Sequence, residues 1–422
     1  MKKVLSITLI LIMVISLAVS CSKDTPATTP SQQPVQSSSP PVSASAPPSS
    51  APSPTGPAAE EPDKPATGVP VLATEAAQRA IDAYAFIDDL HQQASAYDQN
   101  AAKYRYTLNC QDPAVSASGK FLYAWSDAVL VATKGDVFIE VGPSNAFCSG
   151  GSMAALDDLI SGAIDFVFTL PCYFKGYLPL TLAIQNPALG INNITVGANA
   201  MWELYKNSPE IQAEFKNNGE ALFVWANNPS PLSYKGTGEL NDISQIQGNI
   251  RGNNGPAQLF ITQAGASVYS CPIGDVYTNV STGVIDYLIT DWHAIYSFKL
   301  SDEGVLSHYL DTNIGCSAYC LMGNESTWAQ IERNGYADAI KSVSGDYMLN
   351  WVSIWEEYEA NSRATAIANG GDVYAPTAAL DAQLKETYAA VAKTWVADNG
   401  AAAQSVYDKA VEYVNKYNAI YK

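Results

Sequence analysis

The sequence has 422 residues, of which 47% are hydrophobic and 10% aromatic, a composition typical of a globular protein rather than a disordered one. Its 41 acidic and 23 basic residues give a formal net charge of −18 at neutral pH. Repulsion by this charge excludes nucleic acid and anionic lipid surfaces as general binding partners. An anionic ligand therefore has to be held by a local positive group.

The first 21 residues predict an export signal that ends in a lipid attachment site. Lys2 and Lys3 precede an apolar run over residues 4–19, which is too short to span a membrane comfortably and has the layout of a secretory signal. The run closes in Ala-Val-Ser-Cys, a lipobox-like step that predicts acylation of Cys21. An ordinary cleaved signal with a chance cysteine is the alternative.

Residues 22–72 predict a disordered tether. They are mostly Ser, Pro, Ala, Thr and Gln, and no aromatic residue precedes Tyr84. Such a segment cannot bury enough apolar surface to offset its chain entropy. About fifty residues of coil span roughly 40 Å, which is enough to hold a globular body clear of a membrane. We expect an extracytoplasmic protein, lipid-anchored at the cell surface or in the periplasm.

The body that follows alternates between helix and strand patterns. Apolar periodicity predicts an extra N-terminal helix over 75–98, and then, in chain order, strand 104–110, a helix with buried positions from Phe121 to Ala132, strand 137–141, helix 153–160, strand 164–170, helix 198–217 and strand 221–226. A second block has a strand ending at Ile250-Arg251, helix 256–264, strand 268–271, helix 276–282 and strand 284–290. This rhythm predicts α/β architecture with mainly parallel sheets and ligands bound beyond the carboxyl ends of the strands.

Several segments of the body resemble one known family, and they follow each other in the family's order. They are Phe138-Ile-Glu-Val-Gly-Pro143, the Gly-x-x-Asp step within 155–165, Gln247-Gly-Asn-Ile-Arg251, the second Gly-x-x-Asp step at 282–286, and Asn324-x-x-x-Trp328. The chain resembles, over about 104–420, the DctP-like solute-binding proteins of tripartite ATP-independent periplasmic (TRAP) transporters. The resemblance implies a two-lobed periplasmic-binding-protein-like fold, each lobe a mainly parallel sheet flanked by helices, with the ligand cleft between lobes.

The resemblance and the strand pattern together predict the domain organisation. Residues 1–21 are the signal, 22–72 the tether and 73–99 the extra helix. Lobe I comprises 100–227 and 316–355, lobe II comprises 228–315, and residues 356–422 are C-terminal helices that pack over both lobes. The chain then crosses between lobes near Ala226 and again near Ile314.

Arg251 is the predicted ligand anchor. The family uses the arginine at this strand end to hold the ligand carboxylate. A planar guanidinium can donate two parallel charge-assisted hydrogen bonds to a carboxylate, which fixes orientation as well as affinity. From the residues alone, an exposed or structurally paired arginine at a strand end is the favoured interpretation, and the resemblance shifts the preference to the ligand role.

The neighbouring candidates depart from the family pattern and suggest a different ligand body. Where relatives often carry a second arginine, this chain has Asn228 and Ser230, and Thr290 retains only a hydroxyl at another polar position. Asn109 ends the first strand, and Tyr173 and Trp292 follow later strands, where flat rings could stack on a ligand or pack in the core. A ligand with one carboxylate and a neutral or aromatic body fits these changes better than a dicarboxylate.

Six cysteines remain after Cys21, at positions 110, 148, 172, 271, 316 and 320. They allow 15 disulfide connectivities in an oxidising compartment, and sequence cannot choose among them. There is no Cys-x-x-Cys, and the three histidines show no ligand spacing, so we expect no metal site.

The sequence contains no recognisable catalytic motif. No nucleophile elbow or phosphate-cradling loop is found, and Glu356-Glu357 is interpreted as a solvated helix face. We therefore expect no enzymatic activity and no cofactor. The prediction is a monomeric lipoprotein that captures a small organic acid and delivers it to the membrane permease subunits of a TRAP transporter. A binding protein for a sensor, a non-carboxylate ligand or an exported enzyme are the alternatives.

Overall fold

The computed structural model describes residues 74–174 and 176–421. The predicted signal, Cys21 and the tether lie outside the described residues and stay predictions. Within the described part of the chain, no helix is both long enough and apolar enough to cross a membrane.

Eleven strands and thirteen α-helices make up the described body. The strands are β1 Tyr104–Cys110, β2 Val137–Gly142, β3 Phe166–Thr169, β4 Glu220–Pro229, β5 Leu232–Tyr234, β6 Asn249–Arg251, β7 Ser267–Tyr269, β8 Tyr287–Ile289, β9 His308–Leu310, β10 Cys316–Gly323 and β11 Asp372–Tyr374. The helices are α1 Thr74–Ala94, α2 Ala117–Ala132, α3 Ala155–Ser161, α4 Ile194–Asn207, α5 Pro209–Lys216, α6 Pro256–Gln263, α7 Val276–Ser281, α8 Trp292–Ser297, α9 Glu325–Arg333, α10 Ala337–Ser342, α11 Ile354–Ala368, α12 Ala378–Asp398 and α13 Ala401–Ile420.

The strands form two separate mixed sheets. The first sheet has the order β2-β1-β3-β10-β4, and the second has the order β11-β9-β5-β8-β6-β7. In the first sheet only β10 runs against the other strands, and in the second only β5 does so. The predicted fold class, two mainly parallel sheets flanked by helices, is confirmed.

The sequence missed the antiparallel strands and one helix break. β10 is buried at every residue and pairs on both sides, so its apolar run lacks the alternation that marks a half-buried strand. The predicted helix 198–217 is two helices, α4 and α5, with Pro209 at the first turn of the second. Proline cannot donate a backbone hydrogen bond and restricts the residue before it, which ends α4.

Two short connections between consecutive strands carry the chain from one sheet to the other, and a third crossing, from β10 to β11, runs through α9, α10 and α11. β4 ends at Pro229 and β5 begins at Leu232, while β9 ends at Leu310 and β10 begins at Cys316. The two connections hydrogen-bond to each other: Ser230 N donates to Gly315 O at 2.8 Å, and Ile314 N donates to Ser230 O at 3.1 Å. The domain boundaries predicted above stay a proposal, and β11 adds a strand to the segment predicted as purely helical.

An aromatic core lies on the first sheet and reaches towards the second. Phe168 stacks on Tyr319 with ring centroids 5.1 Å apart and an interplanar angle of 11°, and Trp225 stacks on Tyr319 at 5.6 Å. Trp355 of α11 meets Trp225 edge to face at 6.1 Å. Such ring pairs add to the free energy of burial and fix side-chain orientation. Tyr319 is therefore held rigidly, with its hydroxyl at the edge of the core.

Glu356 corrects one of the predictions made from sequence. Its side chain is buried rather than solvated, and both its oxygens contact the Arg79 guanidinium of α1, at 3.0 and 3.1 Å from Nη2. Thr195 of α4 also donates to Glu356, at 2.5 Å. The sequence around Glu356 is polar and does not indicate this role, because its partner Arg79 lies 277 positions away in the chain.

Candidate binding site

A small cavity lies where the carboxyl ends of four strands meet. Residues after β1 and β3 of the first sheet face residues after β6 and β8 of the second sheet. This is the place where open α/β sheets bind ligands. The cavity has a volume of about 10 Å³, room for about one water molecule. Entry of an organic acid therefore requires side chains to rotate or the sheets to separate.

Arg251 lines this cavity from the end of β6. It is only 2% exposed, its Nη2 donates to the Tyr173 hydroxyl at 3.2 Å, and its Nε donates to the Cys271 carbonyl at 3.4 Å. No carboxylate of the described residues lies within salt-bridge distance of its guanidinium. A buried cation is normally paired, because removing it from water is costly. Arg251 is thus a buried positive group with donor capacity to spare.

Tyr173 belongs to the first sheet's side of the cavity, in a short 3₁₀ helix that follows β3. Burial raises the pKa of its hydroxyl to about 12, although the charge of Arg251 acts in the opposite direction. The hydroxyl therefore stays protonated at neutral pH. It accepts a hydrogen bond from Arg251, so this bond joins a residue that follows the first sheet's β3 to a residue of the second sheet's β6. Asn253 Nδ2 donates to Ser317 Oγ at 2.8 Å and makes a second bond of this kind.

Asp291 and His293 follow β8 and line the same cavity. Asp291 caps α8 by accepting from Ala294 N at 2.8 Å, and its Oδ1 lies 3.6 Å from Nδ1 of His293. Burial alone raises the pKa of Asp291, but His293 and the helix N–H lower it to below the ordinary value. Burial alone lowers the pKa of His293, but Asp291, Asp112 and Glu359 raise it overall. Both directions favour the charged forms, a carboxylate at Asp291 beside an imidazolium at His293.

Glu359 of α11 lies behind this pair. Its two oxygens accept from the backbone N–H groups of Trp292 and His293, each at 3.0 Å. Burial, and then the negative charge of Asp291, raise the pKa of Glu359 to about 8. At neutral pH Glu359 is therefore largely protonated. It binds the first two backbone N–H groups of α8 without placing a full negative charge beside Asp291.

Asp112, Gln111 and Asn253 bring acceptor oxygens to the cavity. Asp112 Oδ2, Gln111 Oε1 and Asn253 Oδ1 are buried and have no hydrogen-bond partner among the described residues. Burial raises the pKa of Asp112 above the ordinary carboxyl value, and the positive charge of His293 partly opposes this. The cavity thus contains spare donors at Arg251 and spare acceptors on the other residues.

The structure brings together three of the predicted site residues: Arg251, Tyr173 and Thr290 line the cavity. Asn109 lies to one side, where its Nδ2 donates to Asn145 at 3.2 Å. Trp292 packs on Tyr309 at 5.0 Å in the core of the second sheet.

Asn228 is buried near the end of β4, Ser230 is buried directly after that strand, and neither lines the cavity. Their roles, like those of Asn109 and Trp292, stay predictions.

Sequence reasoning missed Asp112, Asp291 and His293. The signal was present for two of them, since Asp112 lies two residues beyond β1 and Asp291 lies two residues beyond β8, at strand ends where ligands bind. For His293 the sequence pattern addresses a metal-ligand role alone and gives no sign of its place beside Asp291. Within the described residues no group of three or more acidic, Cys or His side chains is placed to hold a metal ion.

The six cysteines of the body are all unpaired thiols, five buried and Cys271 partly so. Burial raises the pKa of Cys172 to about 12, against the charge of Arg251, so this thiol beside the cavity stays protonated. Cys172 is a packing residue rather than a nucleophile.

Comparison with known proteins decides the family. The family model described as DctP, bacterial extracellular solute-binding protein family 7, matches residues 110–399. The chain belongs to this family. The membership predicted from sequence is confirmed, and the family is one of extracytoplasmic solute-binding proteins rather than enzymes. α1 and α13 lie outside the matched residues.

Individual relatives of this DctP-family chain are distant. The outer membrane transporter protein TsaT of Comamonas testosteroni is 23% identical over 288 residues, which cover 65% of this chain and 80% of TsaT. A TRAP solute-binding protein from a marine metagenome, specific for aromatic acid ligands and solved with metahydroxyphenylacetate, is 19% identical with a TM-score of 0.68. It covers 74% of this chain and 99% of its own. A TRAP solute-binding protein from Rhodoferax ferrireducens T118, solved with copurified benzoate, is 20% identical with a TM-score of 0.68, covering 75% and 99%. These structures establish the shared fold.

Proposed function

We propose that this DctP-family protein captures a small organic acid in the cavity between its two sheets and delivers it to the membrane permease of a TRAP transporter. The observation that carries the proposal is Arg251, a buried guanidinium at the carboxyl end of β6 with no carboxylate partner among the described residues. A ligand carboxylate would supply the missing counter-charge.

The surroundings of Arg251 favour one carboxylate over two. Tyr173 shares the guanidinium, and Thr290 adds a neutral hydroxyl to the cavity. The only other cation lining the cavity, His293, is already paired with Asp291. The solved relatives named above hold aromatic acids with a single carboxylate, which supports the same ligand class.

Delivery to a permease is inferred from the family, and the location at the membrane is inferred from the N-terminal sequence. A TRAP-type solute-binding protein acts outside the cytoplasm and passes its ligand to a membrane permease. Cys21 and the segment 22–72 support a lipid anchor with a flexible tether of roughly 40 Å. We propose that the protein works as a monomer held at the membrane surface.

Replacing Arg251 by Ala tests the binding proposal. Loss of the guanidinium removes the counter-charge of a buried carboxylate, so affinity should fall by about 2–5 kcal/mol, at least about 30-fold in Kd. The ligand is first identified by mass spectrometry of the molecule released on denaturing the purified protein, and its affinity is then measured by calorimetry.

Arg333→Ala is the matched control, because Arg333 is an exposed arginine in the last turn of α9. It should leave both affinity and fold unchanged. Equal affinities of the wild type and Arg251→Ala for the released ligand would contradict the proposed anchor.

A further inference from the structure

The cavity has a second polar region across from Arg251, and the proposed carboxylate does not account for it. Asp112 is only 2% exposed, and its Oδ2 has no hydrogen-bond partner among the described residues. Gln111 Oε1 and Asn253 Oδ1 are buried and unpartnered in the same way, and all three residues line the cavity. Because the cavity holds about one water molecule, these oxygens and the Arg251 guanidinium border one small space.

Three of the unpartnered atoms in the described lining, Gln111 Oε1, Asp112 Oδ2 and Asn253 Oδ1, are acceptors, and the two ring nitrogens of His293 are the other unpartnered atoms there. The Asn253 amide is oriented by its own Nδ2, which donates to Ser317 Oγ at 2.8 Å, so its oxygen is left free. An ionised carboxylate and two amide oxygens can accept hydrogen bonds but cannot donate them. A ligand that ended in carbon at this position would leave buried acceptors unsatisfied, which is unfavourable for binding.

The charges around the cavity indicate which donor group fits. Arg251 and His293 are the lining groups that can carry positive charge, and Asp112 and Asp291 are those that can carry negative charge, so with all four ionised the lining is balanced. Glu359, which faces the pair from α11, is largely protonated at neutral pH. A ligand with only a carboxylate would bring one uncompensated negative charge into this buried space, whereas a ligand with both charges would bring none.

We propose that the ligand is zwitterionic, with its carboxylate on Arg251 and a protonated primary amine held by Asp112 together with the amide oxygens of Gln111 and Asn253. A primary ammonium has three N–H donors, and the cavity offers three unpartnered acceptors. This inference rests on the proposed function, since it takes the carboxylate at Arg251 as given. It names amino acids as the ligand class within the organic acids.

Matched probes that differ in one substituent test the proposal. Each set keeps the carbon skeleton and carries NH₃⁺, OH or H at carbon 2, as in phenylalanine, 3-phenyllactate and 3-phenylpropanoate, or alanine, lactate and propanoate. A third pair, 4-aminobutanoate and butanoate, moves the amine to the far end. In at least one set the amino member should bind about tenfold or more tightly than its partners, because only it satisfies all three acceptors.

Asp112→Asn separates this inference from the proposed function. The variant keeps the shape of the side chain and removes its charge, so the preference for the amino member should fall about tenfold or more. The amino member loses the counter-charge of its amine, while the member with H at carbon 2 loses a repulsive charge and should bind at least as tightly as before. Asp398→Asn, an exposed carboxylate at the end of α12, is the control and should change neither value. Arg251→Ala should weaken every member of a set.

A second variant guards against a folding defect in Asp112→Asn. Gln111→Met removes one acceptor without touching a charge, and it should reduce the same preference by a smaller factor. If the acids bind, Arg251→Ala weakens their binding and the amino members are not preferred, the zwitterion proposal is wrong and the proposed function stands. Binding of acids that does not depend on Arg251 overturns both. If none of these probes binds, the molecule released from the purified protein decides, and one without a cationic nitrogen overturns the proposal.

Discussion

At the scale of single residues, the cavity combines groups that sequence could and could not identify. Arg251 was identified because a family resemblance gave weight to an arginine that, by spacing alone, could have been an ordinary paired residue. Asp112 and Asp291 had a signal at their strand ends, but the approach of Asp112 to His293, 181 positions away in sequence, had none. Contacts of this kind depend on how the two sheets pack, and hydrophobic periodicity in the sequence does not predict that packing.

Glu359 allows a prediction about pH. Its pKa is raised to about 8 in the folded protein, against about 4.3 in an unfolded chain. Between these values the folded state retains a proton that the unfolded state has lost, so the free energy of unfolding should fall as pH rises from about 4.5 to 8. Glu359→Gln has no such proton, so its stability should decline less over this range, by on the order of a few kcal/mol.

Urea unfolding of both proteins at several pH values measures this difference. Asp112, Asp291 and His293 titrate in both proteins, so the difference between the two curves reports Glu359 together with its effect on the pKa values of Asp291 and His293. The amide can accept only one of the two backbone N–H bonds, so the variant should start less stable at low pH and approach the wild type near pH 8. Parallel curves across the whole range would show that Glu359 is ionised in the folded protein.

At the scale of elements, periodicity located β1 to β4, β6 to β8 and the helices up to α7, but not the break between α4 and α5, the helices α8 to α10, or the strands β5, β9, β10 and β11. β1 falls on the predicted residues because its polar and apolar positions differ clearly. β5, β9 and β11 are three residues long, too short for any alternation to show, whereas the equally short β6, β7 and β8 were marked by the helices that alternate with them. β10 was missed for the opposite reason, because it is apolar throughout.

The extra N-terminal helix α1 is fixed to the body by a buried ion pair. Arg79 is 19% exposed and Glu356 is 3% exposed, and Glu356 has no second cation among its contacts in the described residues. Arg79→Ala should therefore lower the free energy of unfolding by about 2–4 kcal/mol, because it leaves a buried carboxylate without its counter-charge. Denaturant unfolding monitored by circular dichroism measures the loss.

The exposed pair Lys385–Asp381 on α12 provides the comparison. Its side chains are 72% and 40% exposed, so Lys385→Ala should change stability by no more than about 0.5 kcal/mol. A loss at Arg79→Ala as small as this would mean that α1 is attached by its apolar contacts alone.

At the scale of the whole molecule, the family match and the two sheets account for residues from about 110 to 399, and the N-terminal segment adds a claim about location. Cys21→Ser should abolish lipid attachment, because serine cannot carry the thioether-linked lipid. We expect the wild type in the membrane fraction with a lipid-modified mature N-terminus, and the variant either uncleaved or released.

Solute affinity provides the control for this variant. The purified body of Cys21→Ser should bind its ligand as tightly as the wild type does, since residue 21 lies 230 positions from Arg251. A wild-type protein found free in the medium and beginning beyond residue 21 would contradict the anchor and leave the binding proposal intact.

The paired connections between the sheets restrict how the molecule can open. Because Ser230 and Gly315 hydrogen-bond to each other, the two strand connections have to bend together or lose these bonds. Gly315 has a φ of +88°, and an added Cβ would clash with the carbonyl of Gln185, so this point is sterically closed to other residues. A third segment, α9 to α11, also leads from β10 of the first sheet to β11 of the second. We therefore expect admission of a solute to be a rotation at the paired connections that these helices follow, rather than a loosening in all directions.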